Sequence, residues 1–156
     1  MRLMCENFLE QSRGRILGID VGCKTIGVSV SDERQIIASS LHTIKRTSLK
    51  ADILSLKNTV YEFKSVAIVF GWPIETCGSE GSQCKIVDEL VTNLEAEIDI
   101  PLIQWDERFS TCATESILLE ADLSRSKRKK VIDKMAAAYI LQGALDYLSN
   151  LRRSNA

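Results

Sequence analysis

Residues 15–31 constrain the fold of this chain more than any other stretch, because two apolar segments are separated there by only three residues. The first segment, residues 15–21, has the continuous apolar character of a buried strand. The second, residues 25–31, alternates apolar with small or polar side chains at the period of two that is typical of a strand. The connection is too short to contain a helix, so we expect the two strands to be antiparallel neighbours.

Asp20 lies near the end of the first strand, where apolar residues and glycine precede it and Val21 follows it. A carboxylate inside a sheet is costly unless it is paired or binds a cation. Asp20 is therefore a candidate metal ligand and catalytic residue. The alternative is a structural role, in which Asp20 caps the turn before Gly22.

The rest of the chain alternates strands with helices whose apolar residues recur every three or four positions. We predict further strands over 36–43, 65–70 and 101–105, and helices over 49–63, around 86–94, to about 121 and over about 130–151. A polar, basic loop is expected at 122–130. This order predicts an α/β fold with a mixed five-stranded sheet, three antiparallel strands and then alternating helices and strands, flanked by helices.

The length of 156 residues favours one domain. We assign residues 1–14 to a flexible leader, 15–151 to the domain and 152–156 to a tail. The leader lacks the apolar run of a signal peptide and no segment reaches membrane-spanning length, which predicts a cytoplasmic protein. None of the five cysteines forms a C-x-x-C pair, so we expect small reduced side chains rather than disulfides or a zinc site.

Two further acids, Asp106 and Glu107, directly follow the apolar strand 101–105. Ligands of α/β sheets bind beyond the carboxyl ends of parallel strands, which is where this pair and Asp20 are expected. Adjacent strand residues point to opposite faces, so only one of the two acids is expected to face the site. We favour Glu107 and keep Asp106 as an alternate ligand; a solvated acid before a helix is the structural alternative.

Asp133 shares a helical face with Ala136, Ala137, Ile140 and Ala144. An acid on the apolar side of a helix is unfavourable without a partner, and the alanines would let that helix approach a sheet closely. The alternative is an acid in the first turn of a helix, where the macrodipole favours it.

Together, Asp20, Glu107 and Asp133 form the kind of oxygen-ligand set that Mg²⁺ or Mn²⁺ prefers. One such cation, or two about 4 Å apart, can activate water and stabilise a leaving oxygen during phosphodiester cleavage.

A cluster of basic residues lies just before Asp133, although the formal net charge of the chain is only −1. Cations beside a metal site suit a phosphate backbone, whereas a solvated basic loop is the structural alternative. The candidate substrate-binding residues are Arg125, Lys127, Arg128, Lys129 and Lys130 in this cluster, Lys24 and Thr25 after Asp20, Arg108 after the acid pair, and Ser79 before a helix.

Four motifs in this order resemble the YqgF-type Holliday-junction-resolvase-like proteins, a family of pre-16S rRNA nucleases with the ribonuclease H-like fold. They are GIDVGCKTIGVSVSD at 18–32, GWPIETCGSEG at 71–81, DERFST at 106–111 and KKVIDKMAAAYILQGALD at 129–146. The resemblance implies that Asp20, Glu107 and Asp133 bind a divalent metal and that the substrate is structured RNA or branched DNA. The motif at 71–81 departs from the family's G-L-P pattern in a loop expected to approach the substrate.

The implied activity is a metal-dependent endonuclease in maturation of the 5′ end of 16S rRNA, and a resolvase of four-way DNA is a close alternative. A non-catalytic nucleic-acid-binding module is a different class, in which the three acids would be dispensable. Sugar-kinase-like or actin-like ATPases also carry D-x-G on a strand-turn-strand unit. They duplicate this unit into two lobes, however, and 156 residues hold only one. Both a monomer and a homodimer are compatible with the sequence.

Overall fold

The computed structural model describes residues 2–4, 13–73, 82–106 and 125–154, which contain six strands and three helices. The elements are β1 (Arg2–Met4), β2 (Ile16–Val21), β3 (Thr25–Ser31), β4 (Ala38–Lys45), α1 (Leu49–Phe63), β5 (Ala67–Trp72), α2 (Ser82–Glu97), β6 (Leu102–Asp106) and α3 (Arg125–Ser154). The helix predicted up to residue 121 falls outside the described residues.

The strands form one mixed sheet in the order β1-β6-β5-β2-β3-β4. Strands β2, β3 and β4 are antiparallel neighbours, whereas β5 pairs in parallel with both β2 and β6. The predicted mixed sheet is therefore confirmed, with one strand more than the five expected. The extra strand, β1, pairs in parallel with β6 and belongs to the segment predicted to be a flexible leader. Three residues are too few to show a periodicity.

Both faces of the sheet are covered by helices. On one face, Leu17, Ile19 and Phe70 are buried together with residues of α1 and α2 such as Leu56 and Leu90. A second cluster on the α3 side joins strand residues to that helix; it contains Ile16, Ala67, Val69, Ile103, Ile140, Leu141, Ala144, Leu145 and Leu148. Side chains of β2 thus alternate between two apolar cores, which accounts for the continuous apolar run in its sequence.

Helix α1 has the predicted bounds, whereas α3 begins earlier than expected. The Ser48 hydroxyl accepts a hydrogen bond from the Ala51 N–H at 3.1 Å and caps α1. The loop predicted at 122–130 is wrong from Arg125 onward, because α3 is already helical there. Arginine and lysine favour helix, and no glycine or proline interrupts the run, so the basic cluster forms the first turns of α3.

The structure also bears on the expectations for the cysteines and for membrane-spanning segments. Cys84 is disulfide-bonded, so the expectation that all cysteines are reduced is wrong at that position. Cys23 is exposed and free. In the described part of the chain, no helix combines the length and apolar character needed to cross a membrane.

Candidate active site at the carboxyl ends of the central strands

Asp20 is half-buried and occupies the penultimate position of β2. Ile19 is in register with Phe70 of β5, and Phe70 is in register with Gln104 of β6. One residue further along, Asp20 is therefore level with Gly71 and Trp105. The carboxyl ends of β2, β5 and β6 thus lie side by side, as the sequence predicts for Asp20 and the acid pair.

Asp20 lies on the face of the sheet that α3 covers. Every second residue of a strand lies on the same face of the sheet, so Asp20 shares a face with Ile16 and Gly18. Ile16 is buried against α3, and a Cβ added to Gly18 would lie 2.9 Å from the Ala137 carbonyl oxygen. Leu17 and Ile19, with the opposite parity, pack on the α1–α2 side.

Helix α3 runs antiparallel to β2 along this face. Near the middle of β2, the Ser29 hydroxyl donates to the Ala137 carbonyl at 2.7 Å, and Ser29 is paired with Gly18 in the sheet. Toward the amino end of β2, the Gln142 amide accepts from the Ala38 N–H and donates to the Ile36 carbonyl, both at 2.8 Å. The helix therefore advances toward the carboxyl end of β2 as its residue numbers fall.

This direction brings position 133 level with Asp20. Position 133 is one helical turn before Ala137 on the same face of α3, a displacement of about 6 Å along the helix. Gly18 and Asp20 are two residues apart, a displacement of about 7 Å along the strand. The backbone of α3 therefore places position 133 beside the carboxyl end of β2.

Asp106 is the last residue of β6 and is in register with Trp72. Its position has the strand parity of Leu102, which packs in the α1–α2 core. Trp105 has the other parity and packs on the α3 side, where Asp20 lies. Glu107, Arg108 and Ser79, also predicted as site residues, fall outside the described residues.

Lys24 and Thr25 occupy the turn that leads from β2 into β3. Lys24 is exposed and Thr25 is half-buried, and the Thr25 carbonyl accepts a hydrogen bond from the Gly22 N–H at 2.9 Å. Arg46 supports the turn: its guanidinium donates to the Gly22 carbonyl at 2.9 Å, and its backbone N–H donates to the Lys24 carbonyl at 2.9 Å. The turn therefore presents a cation within four residues of Asp20.

Arg46 in turn depends on Asp52, a carboxylate that is only 2% exposed and lies 2.8 Å from the Arg46 Nε. We expect Arg46→Ala to lower the free energy of unfolding by about 2–4 kcal/mol, because the buried charge of Asp52 loses its partner. The measurement is urea denaturation of Arg46→Ala, Asp52→Ala and the double variant. The double variant is expected to lose no more than Arg46→Ala alone, because it leaves no unpaired buried charge, whereas additive losses would contradict coupling of the pair.

Arg125, Lys127, Arg128, Lys129 and Lys130 all fall in the first turns of α3, and the first turn contains no acidic residue. Cations at a helix N-terminus oppose the macrodipole, so this placement weakens the helix rather than stabilising it. Their position next to residue 133 favours a role outside the folding of α3.

Where side chains are described, no three His, Cys, Asp or Glu residues lie close enough to hold a metal. Position 133 is described only by its backbone, and Glu107 is outside the described ranges. A complete metal site would therefore need acids in addition to Asp20.

The sequence interpretation missed the residues that set the height of α3 above the sheet. Gly18 gives the helix room, and Ser29, fully buried, bonds its backbone. A glycine inside a strand is a recognised sign of close backbone approach, so Gly18 offered a signal. Ser29 did not, since a small polar residue that alternates with apolar ones is common on either face of a strand.

The fold defines the class of protein. The structure is similar to RuvC of Thermus thermophilus in complex with a Holliday junction substrate, with a TM-score of 0.55, 16% identity and coverage of 88% of this chain and 97% of that one. A fowlpox virus Holliday junction resolvase superposes with a TM-score of 0.50 at 13% identity, covering 87% and 99% of the two chains. The chain therefore has the ribonuclease H-like fold of resolvases.

The particular family follows from sequence similarity. Residues 14–147 match the model of the RuvX Holliday junction resolvase family, and the chain belongs to that family of nucleases, which are hydrolases of phosphodiester bonds. A relative from Bradyrhizobium sp. (strain ORS 278), named "Putative pre-16S rRNA nuclease", is 47% identical over 91% of this chain and 88% of its own length. A Clostridium tetani relative of the same name is 46% identical over 87% and 99%.

Proposed function

We propose that this protein is a metal-dependent endonuclease that cleaves phosphodiester bonds in maturation of the 5′ end of pre-16S rRNA in the cytoplasm. Relatives at 46–47% identity carry the name of pre-16S rRNA nuclease. The observation that carries the catalytic part is the packing of α3 on β2, since it brings position 133 level with Asp20.

Asp20, Glu107 and Asp133 would hold Mg²⁺ or Mn²⁺, because carboxylate oxygens are the ligands these ions prefer. The ion would supply activation of a water molecule and stabilisation of the leaving oxygen. Strand alternation disfavours Asp106 as a ligand, because position 106 lies on the sheet face of Leu102 in the α1–α2 core, opposite to the face of Asp20. Glu107 is therefore kept as the favoured acid of the pair. Asp106 remains the alternate ligand.

The substrate would be bound by cations around this edge of the sheet. The first turns of α3 contribute Arg125, Lys127, Arg128, Lys129 and Lys130, the β2–β3 turn contributes Lys24 and Thr25, and Arg108 and Ser79 complete the predicted set. Each cation that neutralises a phosphate releases a counterion, so binding should weaken steeply with salt.

Changing Lys127, Arg128 and Lys129 together to glutamine is expected to make the slope of log affinity against log salt shallower by roughly two. Each lost phosphate contact removes about 0.7–0.9 from the magnitude of that slope. Fluorescence anisotropy with a labelled precursor RNA between 50 and 200 mM salt measures it. The control is Arg153→Gln, an exposed cation in the last turn of the same helix, which should leave the slope unchanged. A triple variant with the wild-type slope would remove the basic cluster from the interface.

A Holliday-junction resolvase is the second candidate, because the matching family is described by that activity. A non-catalytic nucleic-acid-binding module is the third, and both a monomer and a homodimer stay open. The deciding experiment compares a labelled precursor 16S rRNA 5′-leader with a four-way DNA junction, each with Mn²⁺, Mg²⁺ or chelator. Metal-dependent cleavage of the RNA alone supports the proposal, whereas cleavage of the junction alone assigns the resolvase. Cleavage of neither would favour the binding module.

A further inference from the structure

An open pocket of about 610 Å³ lies at the amino end of β2, at the opposite end of the strand from Asp20. The segment before β2, the β3–β4 turn and the end of α1 form its walls. Its charged lining residues are Arg13, Arg15, Arg34, Lys64, Glu33 and Glu62.

The pocket has more positive than negative charge, although the chain as a whole is slightly acidic. Four cations face two carboxylates there, against a formal net charge of −1 for the molecule. Elsewhere in the described residues, Arg46 pairs with Asp52 and Lys57 with Glu97. The pocket cations make no such pair with a described carboxylate, so their hydrogen-bond donors are available to a ligand.

Arg15 is held in place without a carboxylate. Its guanidinium lies 5.9 Å from the centre of the Phe63 ring, a cation–π distance. A contact with the ring uses none of the guanidinium N–H groups, which can bind a phosphate through two parallel hydrogen bonds. This arrangement suits an oxyanion ligand such as a phosphate group.

Hydrogen bonds within the chain hold the turn that presents Glu33 and Arg34. The Asp32 carboxylate accepts hydrogen bonds from the Ile36 and Ile37 N–H groups at 2.7 and 3.0 Å. Partial burial acts to raise the pKa of Asp32, but these backbone donors outweigh it and the pKa is lowered. Gln35, with a φ of 61°, donates to the Gly14 carbonyl at 3.1 Å and ties the turn to the segment before β2.

Lys64 occupies a backbone position that favours glycine. It ends α1 in the left-handed conformation, with φ 50° and ψ 48°, and its N–H bonds the carbonyls of Val60 and Tyr61. A side chain in this conformation costs about 1 kcal/mol or more relative to glycine. The backbone conformation therefore does not account for a lysine at this position, and its side chain lines the pocket.

We propose that this pocket binds the phosphodiester backbone of a second segment of the nucleic-acid substrate, away from the scissile bond. The inference rests on the proposed function, because that function supplies the ligand. Gly14 precedes Asp20 by six residues, so the two sites are about 20 Å apart along β2. In a duplex, where the phosphates of one strand advance about 3.4 Å each along the helix axis, about six base pairs span this distance.

The test uses Lys64→Gly, which removes a cation and relieves the left-handed backbone, and Glu62→Gln, which removes an acid from the same pocket. We expect Lys64→Gly to raise the melting temperature by a few degrees and to weaken binding of a long precursor RNA hairpin three- to tenfold. Glu62→Gln should tighten the same binding. A two-nucleotide fragment is too short to reach both sites and should bind both variants as it binds the wild type.

Anisotropy with the hairpin, the fragment and a mononucleotide separates the outcomes. If both variants bind the hairpin with the affinity of the wild type, the pocket is not a binding site for RNA, while the nuclease proposal stays intact. The same conclusion follows if Lys64→Gly weakens binding of the fragment as much as it weakens binding of the hairpin. Competition by the mononucleotide at the pocket also overturns the inference, in favour of a free nucleotide. A wild-type protein that binds neither RNA overturns the inference together with the proposed function.

Discussion

Asp20→Asn is expected to lower the rate of RNA cleavage at least about a hundredfold, the effect of removing one preorganised electrostatic group from an active site. Asn keeps the shape of the side chain but removes the negative charge that would bind the metal ion. Asp20 is half-buried at the end of β2, so the neutral amide should not disturb the fold. Single-turnover cleavage with saturating Mn²⁺, together with the melting temperature, measures both parts of the expectation.

Asp99→Asn is the matched control, because Asp99 is an exposed acid at the amino end of β6, the opposite edge of the sheet. Its cleavage rate should equal that of the wild type. Asp133→Asn should behave like Asp20→Asn if position 133 contributes to the same site. Wild-type turnover by Asp20→Asn would remove the acid-site mechanism, even if the protein still bound RNA.

Gly18→Ala is expected to lower the free energy of unfolding by about 2–3 kcal/mol, because the close approach of α3 to β2 leaves no room for a methyl group. The added Cβ would collide with the Ser29 hydroxyl oxygen and would lie 2.7 Å from the Leu141 Cβ and 2.9 Å from the Ala137 carbonyl oxygen. Two of these neighbours belong to α3, so the helix must shift outward. The same shift would move position 133 away from Asp20 and should lower cleavage as well.

Thermal denaturation measures the loss, which should appear as a melting temperature lower by roughly 5–10 °C. Gly143→Ala is the control on the same helix, because the three atoms nearest to its Cβ would belong to the ring of Trp105, at 3.2–3.4 Å. The Trp105 side chain can shift to admit a methyl group, whereas the Ala137 backbone carbonyl at Gly18 cannot. Alanine also favours the helix more than glycine does, so little net change in the melting temperature is expected. A Gly18→Ala variant as stable as the wild type would contradict the tight contact.

Much of the architecture could be predicted because the relevant signals are local. The three-residue connection at 22–24 required β2 and β3 to be antiparallel, and the spacing of apolar residues gave the bounds of α1. The start of α3 was misjudged since charge suggested a loop, whereas lysine and arginine are good helix formers. Strand β1 has only three residues, which are too few to show a periodic pattern.

By itself, the sequence determined the kinds of side chain available: acids after apolar strands, an acid on an apolar helical face and a basic cluster beside it. These features depend only on which residues occur and how far apart they lie in the sequence, so they are visible before the chain folds. Only the tertiary structure decided which of them share a location. The parallel register of β2, β5 and β6 and the packing of α3 on Gly18 and Ser29 join residues more than a hundred positions apart. Such contacts depend on how the helix fits the sheet, and no local pattern records that fit.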